Sequence, residues 1–457
     1  MTDGIANQEA AGAPERGEAT MRATERAPES LERLRILDLS RVLAGPFATM
    51  MLGDLGADVI KVERPQTGDD TRAWGPPWDE EGEATYFQSV NRNKRSIALD
   101  LADPGQLAHA RSLARGADVL VENFRPGVMD RLGLGYEVLS AENPGLVYCS
   151  VTGFGAGAGA ELPGYDLLVQ AVGGLMSITG DPAGEPQKVG VALVDVLAGL
   201  FATVGILAAL RHRERTGEGQ RVEVDLLSAL LAALVNQASA FTVAGAVPGR
   251  MGNAHPSITP YELYRTADGD LVLAVGTDRQ FESLCEILGV PGLASDPRFA
   301  TNADRVLHRA EIKVALEDAL AHRPAVAWAS ELTAARVPAG VVNDIRGAFE
   351  LAARLGLEPI VDIPGGQGST VPLTRNPIRL STTPPSYRSA PPRRAEIAGG
   401  RDASGGSALA SGGSAVASGG SALASWREIE LGAVEHDPEL LQDDPARPLA
   451  DDSRELR

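Results

Sequence analysis

Residues 34–65, LRILDLSRVLAGPFATMMLGDLGADVIKVERP, decide the fold class. LRILDLS (34–40) is a short strand-like run. AGPFATMMLGDLG (44–56) carries a helix pattern that opens near Pro46, where a missing N–H costs nothing, and closes at Gly53 or Gly56. ADVIKVERP (57–65) is a second strand, stopped by Pro65. The same order returns in RSIALDL (95–101), the helical DPGQLAHARSLARG (103–116) and ADVLVENF (117–124). Strands that alternate with helices pair in parallel through crossover connections, which predicts an α/β sheet.

Working outward, GLVYCSVTGF (145–154) supplies another strand, and 195–213 read as a long apolar helix ended by TGEGQ. RVEVDLLSALLAALVNQ (221–237) is strand running into helix, and YELYRTADGDLVLAVGT (261–277) is a hairpin turning at Asp268-Gly269. Three helical patterns follow, at 278–289, 308–323 and 326–337, so that roughly 249–340 form a smaller α+β unit. Then come PAGVVND (338–344), a further helix and VPLTRNPIRLS (371–381).

At 457 residues the chain exceeds one core's usual reach, which predicts two domains plus tails. Residues 1–30 are poor in large apolar side chains and are read as a disordered tail. A Gly/Ser/Ala repeat, ASGGSALASGGSAVASGGSALAS, marks a flexible linker within 393–425. The tail from 426 to 457 carries ten acidic and four basic side chains.

The formal net charge of −19 argues against nucleic-acid and anionic-membrane partners. No apolar run is read as reaching the roughly 20 residues of a membrane span, and the polar N-terminal stretch is not expected to act as a signal peptide. Cys149 and Cys285 lie in apolar contexts without metal spacing, the pattern of buried free thiols in a reducing cytoplasm. The six histidines are scattered, so no metal site is assigned.

GFGAGAGA (153–160) approaches a dinucleotide fingerprint, but ELPGYD follows where a helix N-terminus should cradle the phosphate. Basic side chains gather instead near predicted strand ends: in SRVLAGP (40–46), KVERP with TGDDTR (61–72), NRNKRS (91–96) and ENFRPGVMDR (122–131). Their recurrence in an acidic chain predicts one pocket for a polyanion, at the strand ends where open α/β sheets bind ligands. One carboxylate, Asp195, interrupts the apolar run VGVALVDVLAGL (189–200) with no basic neighbour.

These stretches together resemble class III CoA-transferases, the family of formyl-CoA:oxalate and carnitine CoA-transferases. The likeness runs collinearly from LRILDLSRVLAGPFATMM through NRNKRSIALDL, ADVLVENFRPGVMDRLGLG and PGYDLLVQAVGGLMSITG to RHRERTGEGQRVEVDLLSAL, RMGNAHPSITPYELYRTADGDLVLAVGT and NPIRLSTTPPSYR. It implies a large Rossmann-like α/β CoA-binding domain over 31–225 and 345–392, a linker helix and small α+β domain over 226–344, and an interlocked homodimer. It implies no permanently bound cofactor. Acyl-CoA and a small carboxylic acid would be the substrates, with succinyl-CoA as donor and a dicarboxylate or hydroxy acid as acceptor.

Asp195 matches the family's nucleophilic aspartate, which forms a mixed anhydride and then an aspartyl-CoA thioester. CoA would meet the backbone around Val42 and Ala44, with Arg64, Leu99, Asn123 and Arg131. Leu43 stands where family members with a glutamine use it near the acyl group. Tyr165 and Asp166 would line the pocket, and Arg72, Arg92, Arg250 or His255 would hold the acceptor's second carboxylate. VPGRMGNAH (247–255) stands where a glycine-rich lid is expected. The α-methylacyl-CoA racemases of the family pair an aspartate with an upstream histidine. Here Asp166 matches that aspartate, but no histidine lies between His109 and His212, so acid–base chemistry from two faces lacks a partner. A non-catalytic CoA-binding regulator is the third reading, disfavoured by the presence of Asp195.

Overall fold

A computed structural model describes residues 29–394; the expectations for 1–28, the Gly/Ser/Ala linker and the acidic tail lie outside the described residues. Six strands form one parallel sheet: β1 (Arg35–Asp38), β2 (Asp58–Glu63), β3 (Lys94–Ala98), β4 (Val119–Glu122), β5 (Val147–Thr152) and β6 (Arg221–Asp225). Their order is β3-β2-β1-β4-β5-β6, with every neighbouring pair parallel. This is the doubly wound order that reverses direction beside β1, and it leaves a crevice at the carboxyl ends of β1 and β4. β1, β2 and β4 are almost wholly buried, as apolar strands covered on both faces must be.

Helix α1 (Ala44–Asp54) follows β1 and buries all but one of its residues, so its apolar character is nearly all-round. Helix α2 (Pro104–Gly116) is capped by Asp103, whose carboxylate accepts the Gln106 N–H, with Pro104 in the first turn. Helix α3 (Asp166–Val172) precedes α4 (Leu193–Thr216), the central helix, which packs on α1, β5 and β6 and ends at Gly217 with φ of 80°. By length and composition α4 could cross a membrane, contrary to the expectation from the sequence that no run was long enough. Its buried stripe, Val194, Ala198, Ala202, Ile206 and Ala209, belongs to the largest core cluster. Two further apolar helices follow β6: α5 (Leu226–Ala233) and α6 (Val235–Ala244).

The hairpin read from Asp268-Gly269 is present as β7 (Tyr261–Arg265) and β8 (Asp270–Ala274), and β9 (Ala339–Val341) adds a third antiparallel strand. Helices α7 (Asp278–Ile287), α8 (Arg309–Leu320) and α9 (Ala325–Ala334) bury Phe281, Leu316 and Trp328 against it in a separate core. β10 (Ile360–Pro364) and β11 (Thr370–Thr374) make an independent antiparallel pair. The chain after β11 returns to the first sheet. Asn376 donates to Asp54, the Ser389 carbonyl accepts the Asn93 N–H, and Arg388 donates to the Gly53 and Ala57 carbonyls. Cys149 and Cys285 are free and buried.

Candidate active site

The site is assembled where β1, β4 and β5 end and α4 begins. A cavity of about 110 Å3 is lined by Ala44, Asn123, Phe124, Arg125, the glycine-rich 153–155 turn, Gly164 and Asp195. A second cavity of about 360 Å3 shares Phe124, Arg125, Pro126 and Thr152 with it and runs toward Tyr136 and Arg221. The turn over Phe124–Pro126 therefore borders two adjoining spaces. GFGAGAGA forms no helix; it is a wall of the cavity, and Gly153 packs so closely on Gly164 that an added Cβ would lie 2.4 Å from the Gly164 Cα.

Asp195 is the third residue of α4. The helix is brought there by Gly199, one turn later, where a Cβ would stand 2.7 Å from the Ala44 carbonyl oxygen. Only glycine permits that approach, so a small residue on α4 sets Asp195 beside the start of α1. Asp195 does not cap its own helix: the N-cap is Ala192, and no side chain of α4 closes the first turn. Asp166 does so from α3, its Oδ1 accepting the N–H of Val194 at 2.8 Å and of Asp195 at 3.3 Å. Burial raises the Asp195 carboxyl from its ordinary value to about 7, and the Asp166 carboxylate adds to the rise. Among the described residues no cation opposes either effect.

The loop between β1 and α1 is held from all sides. Val42 has φ of +70°, a conformation strained for a β-branched residue. Its N–H faces the Asp69 carboxylate at 3.3 Å. The Asn123 amide clasps Arg41, accepting its N–H and donating to its carbonyl, both at 2.8 Å. Ser40 is fixed by Asp38 on one side and by Lys61, whose Nζ donates to the Ser40 carbonyl at 2.8 Å, on the other. A strained backbone of this kind persists only because its surroundings overdetermine it.

Several sequence-derived assignments need correction. Arg72, expected to hold the acceptor, is instead buried, forks onto Glu63 at 2.7 and 2.8 Å and stacks on Phe87. Arg92 likewise is spent on Asp54, at 2.9 and 2.6 Å, and on the Thr374 carbonyl. The lysines of KVERP and NRNKRS point inward: Lys61 and Lys94 are fully buried and pair with Asp69 and Asp38, whereas Arg95 stays part-exposed on Asp58. Spacing along a strand gave the charge but not which face it occupied. Arg64 is part-buried and paired with Asp70, and the Leu99 side chain lies in the core while its N–H goes to the Glu63 carbonyl.

Arg131 is exposed on the short 128–131 helix, and Asn123 acts here by clamping the loop. Ala44 lines the cavity, and Leu43 is buried as the α1 N-cap. Tyr165 is exposed at the start of α3. In the expected lid segment, Arg250 donates to the Asp181 and Gly184 carbonyls, which ties 247–255 to the stretch leading into α4. His255 packs on Tyr261, in the smaller unit.

Two side chains escaped notice in the sequence. Tyr86 is half-buried, and its phenol is raised by burial and then by the charges of Asp195 and Asp166; its ring and that of Trp74 meet edge to face, 5.3 Å between centroids. Gln170 is fully buried beside Asp166. Its signal was the spacing in GYDLLVQ, which puts Asp166 and Gln170 one turn apart on a helix face.

The sequence model of CoA-transferase family III matches residues 31–396. Succinate–glutarate CoA-transferase of Agrobacterium fabrum is 47% identical over 80% of this chain and 93% of its own length. Succinyl-CoA:mesaconate CoA-transferase of Haloarcula hispanica is 39% identical over 78% and 91%. The crystal structure of a CAIB/BAIF family protein from Brucella suis is 44% identical and superposes with a TM-score of 0.72 over 80% of this chain and 96% of that one. The chain that carries Asp195 at the mouth of this crevice belongs to CoA-transferase family III, and it is a CoA-transferase.

Proposed function

We propose that the protein moves CoA from succinyl-CoA to a dicarboxylic acid of the glutarate type, with Asp195 as nucleophile. The observation that carries this reading is the Asp195 carboxyl itself: half-buried on a cavity wall, with no counter-ion among the described residues, close to the strained backbone of the 40–44 loop. The acceptor class is that of the relatives from Agrobacterium fabrum and Mus musculus.

In the reaction, ionised Asp195 attacks the thioester carbonyl and CoA leaves as thiolate, giving a mixed anhydride. The thiolate returns to the aspartyl carbonyl and expels succinate, which leaves an aspartyl-CoA thioester. The acceptor carboxylate attacks that carbonyl and releases the thiolate again. Attack of the thiolate on the acceptor's acyl carbonyl then forms the new acyl-CoA and regenerates the Asp195 carboxylate. Both carbonyl attacks on one side chain need it poorly solvated, which its environment supplies.

CoA would run along the 40–44 loop and over the Phe124–Pro126 turn, with Arg64 and Arg131 toward its phosphates. Of the four cations considered for the acceptor, Arg250 is the one we retain, on the segment tied to the entry of α4. The racemase reading would require Asp166 as a free base, whereas both of its oxygens accept hydrogen bonds. We further propose that both chain ends complete one CoA-binding domain and that two subunits interlock. Exposed Leu167, Val172, Leu200, Val204, Leu231 and Phe241 on α3 to α6 support an apolar contact with a second copy.

The test is incubation with succinyl-CoA and a panel of carboxylic acids, with mass spectrometry of the CoA products. Glutaryl-CoA is expected from the wild type, and Asp195→Ala is expected to lose transfer by roughly 1,000-fold or more together with the hydroxylamine-sensitive enzyme adduct. Full activity in that variant would sink the nucleophile assignment.

A further inference from the structure

We propose that Gln170 is a positioning residue for the transfer reaction: acting through Asp166, it fixes the backbone from which the Asp195 carboxyl enters the cavity. The inference rests on Asp195 being the nucleophile.

Gln170 is wholly buried on α3, one turn after Asp166. Both ends of its amide are used. Nε2 donates to Asp166 Oδ2 at 2.6 Å, and Oε1 accepts the Val189 N–H at 2.9 Å. The other Asp166 oxygen takes the Val194 and Asp195 N–H groups. One helix thereby grips the connection into α4 at both of its ends, at Val189 by the glutamine and at Val194 and Asp195 by the aspartate. Between them lie Gly190, Val191, Ala192 and Leu193, of which Gly190 and Val191 are exposed and Ala192, the N-cap, has no side chain able to cap the helix.

Packing alone does not call for a glutamine here. A buried amide is tolerated only when its donors and acceptors are met, and an apolar side chain of similar volume would fill the space without that demand. What the amide adds is polarity in a fixed sense. Because Nε2 must face Asp166, the Asp166 carboxylate is turned so that its second oxygen meets the α4 N–H groups. Its charge is then held beside Asp195, in keeping with the raised proton affinity of that carboxyl.

The polarity can be reversed as a test in the full chain. Asp166→Asn sets an amide donor against the Gln170 donor, and Gln170→Glu sets two carboxylates face to face. Combined, the new amide at 166 donates to the new carboxylate at 170. That carboxylate still accepts the Val189 N–H, and the amide oxygen at 166 still accepts the Val194 and Asp195 N–H groups. Only the long contact of 3.5 Å from Gln170 Nε2 to the Val191 carbonyl is lost.

Each single variant is expected to lower kcat for succinyl-CoA and glutarate by about 30-fold, with KM for succinyl-CoA changed less than about threefold, as for a misplaced reacting group. The double variant is expected to recover about tenfold of that loss, with the acid limb of its pH–rate profile moved to lower pH because the charge now sits one turn farther from Asp195. Singles with wild-type kcat, a loss confined to KM, or a double variant no better than the worse single would overturn the proposal. Should Gln170→Glu melt below the assay temperature, Gln170→Met, of similar volume and without hydrogen bonds, must show the same kcat loss. The rate of hydroxylamine-sensitive adduct formation at Asp195 separates the two ideas. No adduct in the wild type defeats the nucleophile reading, whereas an adduct that forms equally fast in all variants defeats this one.

Discussion

Two regions of the same sheet bury charge in opposite ways. Beneath β1 to β3, Asp38, Lys61, Asp69 and Lys94 are shut from solvent, and each is met by an opposite charge within 3.0 Å. Lys94 Nζ spends its three donors on Asp38, the Pro46 carbonyl and Asn91. Burial pushes Asp38 upward, but Lys94, Lys61 and the hydroxyls of Ser40 and Thr49 outweigh it and hold the carboxyl at about 2. At the start of α4, burial acts on Asp195 unopposed and its charged neighbour, Asp166, has the same sign. Charges fully paired in the interior fix a shape; a carboxylate left without a cation keeps its reactivity.

The paired side of this contrast is the more fragile. Lys94→Met removes one ammonium and leaves the Asp38 carboxylate buried against Lys61 alone, a change expected to cost about 3–5 kcal/mol by denaturant titration at pH 7. Asp38 supports the wild type above its unfolded value near 4, and that support fades as pH falls toward 2. In the variant the loss should begin nearer neutrality, and Asp38→Asn added to Lys94→Met should restore part of it. A variant as stable as wild type would mean that the network does not hold the β1–α1 loop.

The strand and helix order was legible from residues 34–65 because apolar periodicity and the Pro and Gly stops act locally. The inward-facing cations were not. In NRNKRS, Arg92 and Lys94 read as part of a pocket for a polyanion, and their buried partners Asp54 and Asp38 lie at least 38 residues earlier, apposed only once β3 pairs with β2. Asp195 was legible as an anomaly in an apolar run and through the family likeness. Asp166 pointed to the cavity, but its role as a cap for another helix depends on α3 docking against α4, which no local pattern encodes.

The unpaired side should behave in the reverse sense. Asp195 has its carboxyl raised in the fold, from 3.8 to about 7, so the native state binds a proton more tightly than the unfolded chain. Its cost to stability is absent below about pH 4, grows between the two values and is complete above about 7. Discounted for partial exposure, Asp195→Asn should therefore stabilise the protein by about 1–2 kcal/mol at pH 8 and by nothing measurable at pH 4, the opposite of a paired carboxylate. The same sign predicts that wild-type kcat/KM rises about tenfold per pH unit below about 7 and then levels, because the nucleophile must be ionised. A destabilised Asp195→Asn protein at pH 8 would place Asp195 with the structural charges after all.

The contrast is sharpest where neither burial nor chemistry acts. Arg115 at the end of α2 meets Glu142 at 2.7 Å, with about half of the arginine side chain and 40% of the glutamate exposed. The geometry matches that of the buried pairs, but water screens both charges and two flexible side chains must be ordered to form the contact. A double-mutant cycle with Arg115→Ala and Glu142→Ala should give a coupling of about 0.5 kcal/mol or less that disappears in 1 M salt, where the screening length falls to about 3 Å. A salt-resistant coupling near that of Asp38 with Lys94 would show that distance alone, and not exclusion of water, separates the strong pairs of this fold from the weak ones.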